Sequence, residues 1–143
     1  MKKTILAVFM AALLLIPTIS FGACPITYED KGMVQIITFT CGTDSAGSAT
    51  YANVTTKPLF GFVYMAETNP GTTGPTDNYD IVLNDSDGVD IFGGNLMNRD
   101  TSNSERAIPA ITAFVDGTLT LAVTNNSVNN ATFVLKVYLY REP

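Results

Sequence analysis

The sequence ATFVLKVYLYR, residues 131–141, decides the fold because its large apolar side chains recur at every second position. A period of two places alternate side chains on opposite faces of a β-strand, whereas a helix requires a period of 3.6. The stretch therefore predicts a half-buried antiparallel strand with one strongly apolar face and one mixed face. The apolar set is Phe133, Leu135, Val137 and Leu139, and the other set is Thr132, Val134, Lys136, Tyr138 and Tyr140.

Seven further stretches have strand-like composition, and turn-forming residues separate them. GTLTLAVTN (117–125) repeats the alternation, and no convincing helical stripe follows residue 24. Short strands spaced by Gly, Pro, Asn and Asp predict an all-β protein, a single antiparallel β-sandwich or jelly roll of about eight short strands. The other runs are MVQIITFTC (33–41), SATYANV (48–54), LFGFVYMA (59–66), NYDIVLND (78–85), VDIFG (89–93) and AIPAITAFV (107–115).

The N-terminus, MKKTILAVFMAALLLIPTISFGAC, has the layout of a secretory signal peptide. Two lysines precede an apolar run from Ile5 to Ile16, and Pro17 and small residues follow it. The run is too short to span a bilayer, which needs roughly 20 residues. We expect residues 1–23 to be a signal peptide and residues 24–143 to form the β-sandwich domain, exported to the periplasm, the cell surface or the medium.

Cys24 has two possible fates, because FGAC at residues 21–24 is also close to a lipoprotein cleavage motif. Cys41 is the other cysteine of the chain. Lipidation of Cys24 would leave Cys41 as an odd thiol outside the cytoplasm, so the sequence favours a structural Cys24–Cys41 disulfide.

The charge balance argues against nucleic-acid and membrane partners. The chain has 8 basic and 13 acidic residues, and cleavage would remove Lys2 and Lys3, which leaves 6 basic residues and a formal charge of −7. Such a surface repels phosphate backbones and anionic lipids.

An acidic stretch, NYDIVLNDSDGVDIFGGNLMNRD (78–100), raises the question of a calcium site. Asp85, Asp87 and Asp90 are weak calcium candidates, but Gly88 comes too early for a calcium loop and no Glu follows within the loop. The favoured interpretation is a turn between YDIVL and VDIF, in which Asp-Gly supplies a positive φ.

Catalysis has little support in the sequence. The chain has no His, which excludes Ser-His-Asp and Cys-His arrangements and the usual zinc sites. A pair such as Asp80 with Asp90 or Glu105 could be proposed for glycoside hydrolysis, but such a pair is uninformative among 13 acidic residues. We expect neither an enzyme nor a cofactor.

Tyrosines provide the candidate interaction surface. Tyr138 and Tyr140 share a strand face with Lys136, which suits a protein contact or a half-buried position equally well. Sugar-binding modules also use aromatic faces, and this chain has no Trp. The tyrosines that could serve, if they lay on one exposed face, are Tyr51, Tyr64, Tyr79, Tyr138 and Tyr140.

Four stretches resemble small β-rich proteins encoded among the structural genes of tailed phages and prophages, whose roles are generally unassigned. The resemblance spans roughly residues 33–140, rests on turn and strand patterns and not on a catalytic signature, and supports the shape more than the role. The signal peptide and Cys24 depart from it, because phage particles assemble in the cytoplasm. The stretches are MVQIITFTCGTDSAGSATY (33–51), NPGTTGPTDNYDIVLNDSDGVDIFGG (69–94), NRDTSNSERAIP (98–109) and VDGTLTLAVTNNSVNNATFVLKVYLY (115–140).

The sequence thus favours an exported structural or assembly protein that associates with itself or with a larger protein assembly. Two alternatives remain open: a secreted binding module for glycans or a host partner, and a fimbrial-subunit-like protein. The last strand, Val137 to Tyr140 in particular, should be either a central strand or an edge used for docking.

Overall fold

A computed structural model describes residues 24–43 and 47–141, and within these ranges the protein forms nine β-strands and no helix. The all-β prediction is confirmed. The signal peptide predicted for residues 1–23 lies outside the described residues. The strands are β1 (Ile26–Lys31), β2 (Val34–Gly42), β3 (Val54–Thr55), β4 (Leu59–Pro70), β5 (Asp80–Asn84), β6 (Glu105–Ala107), β7 (Ala113–Gly117), β8 (Thr120–Thr124) and β9 (Thr132–Tyr140).

The strands form two antiparallel sheets. The larger, six-stranded sheet has the order β1-β2-β9-β4-β6, and β7 also pairs with β4. The smaller sheet has the order β3-β8-β5. Strand β9 therefore lies in the centre of the larger sheet, between β2 and β4. Of the two alternatives that the sequence left open for this strand, the structure shows the central strand and not the docking edge.

One hydrophobic core contains the buried side chains of both sheets, so the molecule is a two-layer sandwich. Each long strand contributes alternate residues to it, as the period of two requires: β9 buries Phe133, Leu135, Val137 and Leu139. The other fully buried large side chains are Ile37, Phe39, Tyr79, Ile81, Leu83, Phe92, Leu96, Leu119 and Leu121.

Strand β4 is the longest strand, with 12 residues, and it pairs with three others. One edge pairs with β9, and the other pairs first with β7 and then with β6. An irregularity in the register between Val63 and Met65 marks a β-bulge near this change of partner. Gly61 has a φ of 144°, and a Cβ at this position would collide with the carbonyl oxygen of Tyr140. Only glycine fits here.

The irregular segment 89–99 covers the free edge of β5. Backbone N–H groups of Ile81 and Ile91 donate to the carbonyl oxygens of Leu96 and Leu83, at 3.1 and 3.0 Å, and the N–H of Arg99 donates to Tyr79 at 2.8 Å. The prediction that VDIFG is a strand is therefore wrong, because Asp90 forms only an isolated bridge with Asn84 and turns follow it. An edge that could pair with another chain is covered instead.

Two other predicted strands are shorter than expected, and one strand was missed. In SATYANV only Val54 belongs to a strand, and AIPAITAFV is divided between β6 and β7 by a loop at residues 108–112. Strand β1 was not predicted because three charged residues end it, yet its Ile26 and Tyr28 pack against the core.

Candidate docking surface

The outer face of the six-stranded sheet carries the two tyrosines that the sequence proposed as an interaction surface. Tyr138 and Tyr140 lie on β9 with their side chains away from the core, and both are half-buried. Their neighbours in the sheet explain this partial burial. Tyr138 is paired with Ile36 of β2 and Met65 of β4, and Tyr140 with Val34 and Phe62.

The register of β4 and β7 extends this surface by three phenylalanines. Phe62 is opposite Tyr140 on one side and Phe114 on the other, and Phe60 is opposite Asp116. The Phe114 ring lies 5.2 Å from that of Phe60 at an interplanar angle of 87°, and 5.0 Å from that of Phe62. Such edge-to-face and tilted pairs fix the rings relative to one another.

The β-bulge adds Tyr64, which is 45% exposed, beside Met65 on the same outer face. Its ring centroid lies 5.9 Å from that of Tyr138. We call the resulting surface the aromatic face, defined as Phe60, Phe62, Tyr64, Phe114, Tyr138 and Tyr140.

The loop at residues 108–112 borders the aromatic face and is itself apolar. Ile108 and Ile111 are 66% and 78% exposed, and with Phe62 and Tyr64 they line an open groove. The loop is anchored at its base, because the Asn95 side-chain amide donates to the Ile108 carbonyl at 3.0 Å. The isoleucines thus stand at the border of the aromatic face.

The size of this surface separates it from ordinary exposed apolar residues. Phe60 is 61% exposed and Phe114 is 48% exposed. With about 200 Å² for each aromatic side chain, the aromatic face and the two isoleucines expose roughly 600 Å². That is the upper end of the range for the largest patch on a monomeric protein, about 300 to 600 Å², and such patches often mark binding sites.

Charges on the outer face of the six-stranded sheet are balanced. Strand β1 contributes the ion pair Glu29–Lys31, and Arg106 of β6 binds Glu67 of β4 at 3.0 Å. Lys136 of β9 is the cross-strand neighbour of Glu67. With Asp116 of β7, the outer positions carry three acidic and three basic side chains.

The segment at residues 77–100 is strongly acidic by contrast, with six aspartates and one arginine. Four of these carboxylates accept backbone N–H groups of the chain itself. The Asp85 carboxylate accepts the N–H groups of Asp87 and Val89, both at 2.9 Å, and the Asp90 carboxylate accepts those of Phe92 at 3.1 Å and Gly94 at 2.7 Å. These contacts form turns, which is the interpretation that the sequence analysis favoured over a calcium loop.

The Asp80 and Asp100 carboxylates also accept backbone N–H groups. Asp80 accepts the Asn98 N–H at 2.9 Å and the side-chain amide of Asn125. Asp100 accepts the N–H groups of Ser102 and Asn103 at 2.6 and 2.7 Å, and these hydrogen bonds lower the pKa of its carboxyl group. These carboxylates thus accept backbone N–H groups that have no partner on a neighbouring strand.

Within residues 24–43 and 47–141, no group of three or more His, Cys, Asp or Glu side chains is placed to hold a metal ion. The calcium candidates Asp85, Asp87 and Asp90 therefore do not converge on one point. The sequence favoured a turn over a calcium site here, and that preference stays a prediction.

Two of the tyrosines considered for sugar binding are unavailable. Tyr51 and Tyr79 are 4% and 0% exposed, and their rings pack against Phe133 at 5.2 and 5.6 Å. Burial raises the pKa of both phenols far above its ordinary value. Only Tyr64, Tyr138 and Tyr140 of the five lie on the outer face.

The two cysteines lie opposite each other at the start of the β1–β2 hairpin. Cys24 and Cys41 have their Cα atoms 4.0 Å apart and are joined through sulfur. Both are buried, and they link the edge strand β1 to β2 where the strands begin to pair. This position suits the structural disulfide expected from the sequence.

In the part of the chain that the structure describes, no helix is long and apolar enough to cross a membrane.

No protein-family model matches the sequence, and no curated protein is similar to it. Among solved structures, a chain of the cyanophage Pam1 capsid asymmetric unit is similar, with 19% identity and a TM-score of 0.37. The match covers 85% of this chain and 87% of that chain. Similarity at this level does not establish a shared fold or function.

Sequence reasoning named Tyr138 and Tyr140 as an interaction surface and Tyr64 only as a possible sugar-binding residue, and it missed the three phenylalanines. LFGFVYMA was interpreted only as a strand, although Phe60, Phe62 and Tyr64 occupy every second position in it. Three aromatic residues on one parity are a signal for one face of a strand. Phe114 gave no such signal, because its place beside Phe62 depends on the β4–β7 register.

Proposed function

We propose that this protein is an exported, noncatalytic structural or assembly protein that uses the aromatic face to contact other protein molecules. The observation that carries the proposal is the concentration of six aromatic side chains on one solvent-facing sheet surface. Aromatic residues are enriched at protein interfaces, and charged residues are depleted at their centres. Charged side chains here lie around the aromatic face.

The contrast between two protected sheet edges and the unprotected aromatic face supports a protein partner that binds the face. Residues 89–99 of the acidic segment cover the free edge of β5, and the charged residues Glu29, Asp30 and Lys31 occupy the exposed edge strand β1. Charge and coverage at sheet edges oppose edge-to-edge pairing. The aromatic face has neither protection, so association should proceed through the face of the sheet.

Export rests on the leader at residues 1–23 and on the cysteine pair. Outside the cytoplasm a Cys24–Cys41 disulfide persists, and the chain-entropy estimate for a short loop is about 3 kcal/mol of stabilisation. A disulfide that fastens an edge strand is useful in a small domain that must remain folded outside the cell.

The test is the mass of the exported protein in solution, measured by light scattering coupled to size exclusion over a range of concentrations. We expect association that Tyr64→Lys and Tyr138→Lys each weaken at least tenfold, since both substitutions place a charge within the apolar contact. Val89→Lys is the matched control, because Val89 is 60% exposed but lies on the acidic segment.

Intact mass recorded on the same samples gives the cleavage site and shows whether Cys24 carries lipid. A strictly monomeric wild-type protein at high concentration, with a glycan array hit that Tyr64→Lys removes, would replace the assembly proposal by a glycan-binding module.

A further inference from the structure

We propose that the aromatic face binds a second copy of this chain, related to the first by a two-fold axis that runs parallel to the strands between β9 and β4. This inference rests on the proposed function and names its partner. It follows from the size of the face, from the distribution of charge and from the register of β9 against β4.

The size of the face fits a pair of sheets packed against each other. A stable interface buries about 800 Å² on each partner, and the apolar part of this surface alone supplies roughly 600 Å². The aliphatic residues Val34, Ile36 and Met65 lie on the same outer face beside the aromatic rings. Two such faces can pack as the two layers of a sandwich do.

The charge distribution favours a second copy at this face over contact through the acidic segment. Processed chains would each carry a formal charge of −7, so two of them repel through most of their surfaces. The acidic segment contributes much of that charge, with six aspartates against Arg99. The outer face of the six-stranded sheet, with three acidic and three basic side chains, has no net charge, so two copies can approach through it without this repulsion.

The register then selects the axis. A two-fold axis along the strands between β9 and β4 exchanges these two strands, so each residue of β9 faces its cross-strand neighbour on β4 of the other copy. Tyr140 thereby faces Phe62 of the second copy, and Tyr138 faces Met65. The tyrosines of β9 in one copy therefore pack against apolar side chains of β4 in the other.

The same operation brings opposite charges together. Lys136 pairs with Glu67 in the register of β9 and β4, so Lys136 of one copy would face Glu67 of the other, twice in each dimer. An axis perpendicular to the strands would instead lay β9 over β9 and β4 over β4, so Lys136 would not face Glu67. Opposite charges at the rim set the orientation of an interface more than its affinity.

Complementary charge reversals test this geometry directly. In the dimer, Lys136→Glu places two glutamates at each Lys136–Glu67 contact, and Glu67→Lys places two lysines there. Each variant alone should dissociate roughly tenfold more readily than the wild type, since exposed charge pairs are individually weak but occur twice. An equimolar mixture should recover the wild-type dissociation constant, because each contact then joins a lysine to a glutamate.

The rescue on mixing separates the contact between copies from the contact within one chain. Glu67 also binds Arg106 within its own chain, and mixing two chains cannot repair a defect inside either of them. Glu29→Lys and Lys31→Glu form the matched control pair. They reverse an ion pair on the same outer face, but on β1, which the axis does not place against its counterpart. This pair should show no rescue on mixing.

The outcomes distinguish the two proposals. Association that Tyr64→Lys weakens, without rescue in the Lys136→Glu and Glu67→Lys mixture, would overturn the two-fold pairing and leave assembly through the aromatic face intact. A wild-type protein that remains monomeric at high concentration would overturn the two-fold pairing, and together with a glycan array hit that Tyr64→Lys removes it would overturn the proposed function as well. Melting temperatures of the variants, each compared with that of the wild type, exclude unfolding as the cause of a lost dimer.

Discussion

The central strands of the six-stranded sheet and the acidic segment at residues 77–100 both bury large side chains, but their backbone N–H groups find hydrogen-bond acceptors in different ways. Leu135 and Leu139 on β9 are fully buried between two strand partners, and Phe92 and Leu96 are buried in a region of turns. In the sheet, the ladders pair the backbone groups. In the acidic segment, the Asp85 carboxylate accepts backbone N–H groups that no neighbouring strand pairs.

The difference shows that burial of apolar residues does not require a ladder, provided that side chains supply the acceptors. It also separates two roles within one small domain. The regular sheet presents its outer face to solvent, and the irregular segment covers the edge of β5. An edge covered in this way cannot add a strand from another molecule.

The largest expected effect tests whether the acidic segment is as much a part of the core as the sheet. Phe92 is 0% exposed, and Phe92→Ala should lower the free energy of unfolding by about 3 to 5 kcal/mol, as a buried Phe→Ala cavity does. Leu135→Ala in β9 is the matched substitution, with an expected loss of about 2 to 5 kcal/mol. Urea unfolding with unchanged slopes measures both.

A loss below about 1 kcal/mol for Phe92→Ala, beside a large loss for Leu135→Ala, would contradict the equivalence of the two regions. The segment would then be a loosely attached cover and not part of the cooperative unit.

The next effect is smaller and tests the carboxylate acceptors. Asp90→Ala removes an acceptor from the N–H groups of Phe92 and Gly94, and it should lower the free energy of unfolding by about 1 to 3 kcal/mol. Asp87→Ala is the control, because no described residue donates a hydrogen bond to the Asp87 carboxylate, and it should change stability by less than about 0.5 kcal/mol. Equal losses for both would show that loop charge, not the hydrogen bonds, matters.

The two regions also differ in how well the sequence predicts them. Alternation predicted β2, β8 and β9 because each packs one face on the core and has a partner strand on at least one side. VDIFG has the same alternation at Val89 and Ile91, but Asp90 captures the following N–H groups and ends the pairing. That competition between a side chain and a ladder is invisible to a count of apolar residues.

The candidate site was predictable in part for a related reason. The outward direction of Tyr138 and Tyr140 follows from the period of β9 alone. The aromatic face as a whole depends on which strands lie beside β9, and that is a property of the tertiary register. The covered edge of β5 likewise depends on contacts between residues far apart in the sequence.

The smallest expected effect concerns calcium. The Asp85 and Asp90 carboxylates each already accept two backbone N–H groups, whereas a calcium ion requires six to eight oxygen ligands around one point. Calcium at 10 mM should therefore shift the Tm by less than about 1 °C, with magnesium at equal ionic strength as the control. A site with a dissociation constant near 0.1 mM would stabilise the fold by about 2.7 kcal/mol under these conditions, which is a shift of several degrees.

The result that would contradict this expectation is a rise in Tm that calcium produces, magnesium does not, and Asp85→Asn abolishes. Asp85→Asn keeps one oxygen acceptor for the N–H groups of Asp87 and Val89, so it removes charge from the turn with the least change to its hydrogen bonds. Calcium binding that depends on the Asp85 charge would mean that this carboxylate releases its backbone N–H donors and binds the ion instead. The acidic segment would then be a ligand site as well as an edge cover, and its aspartates would have a second role that the sheet has no means to provide.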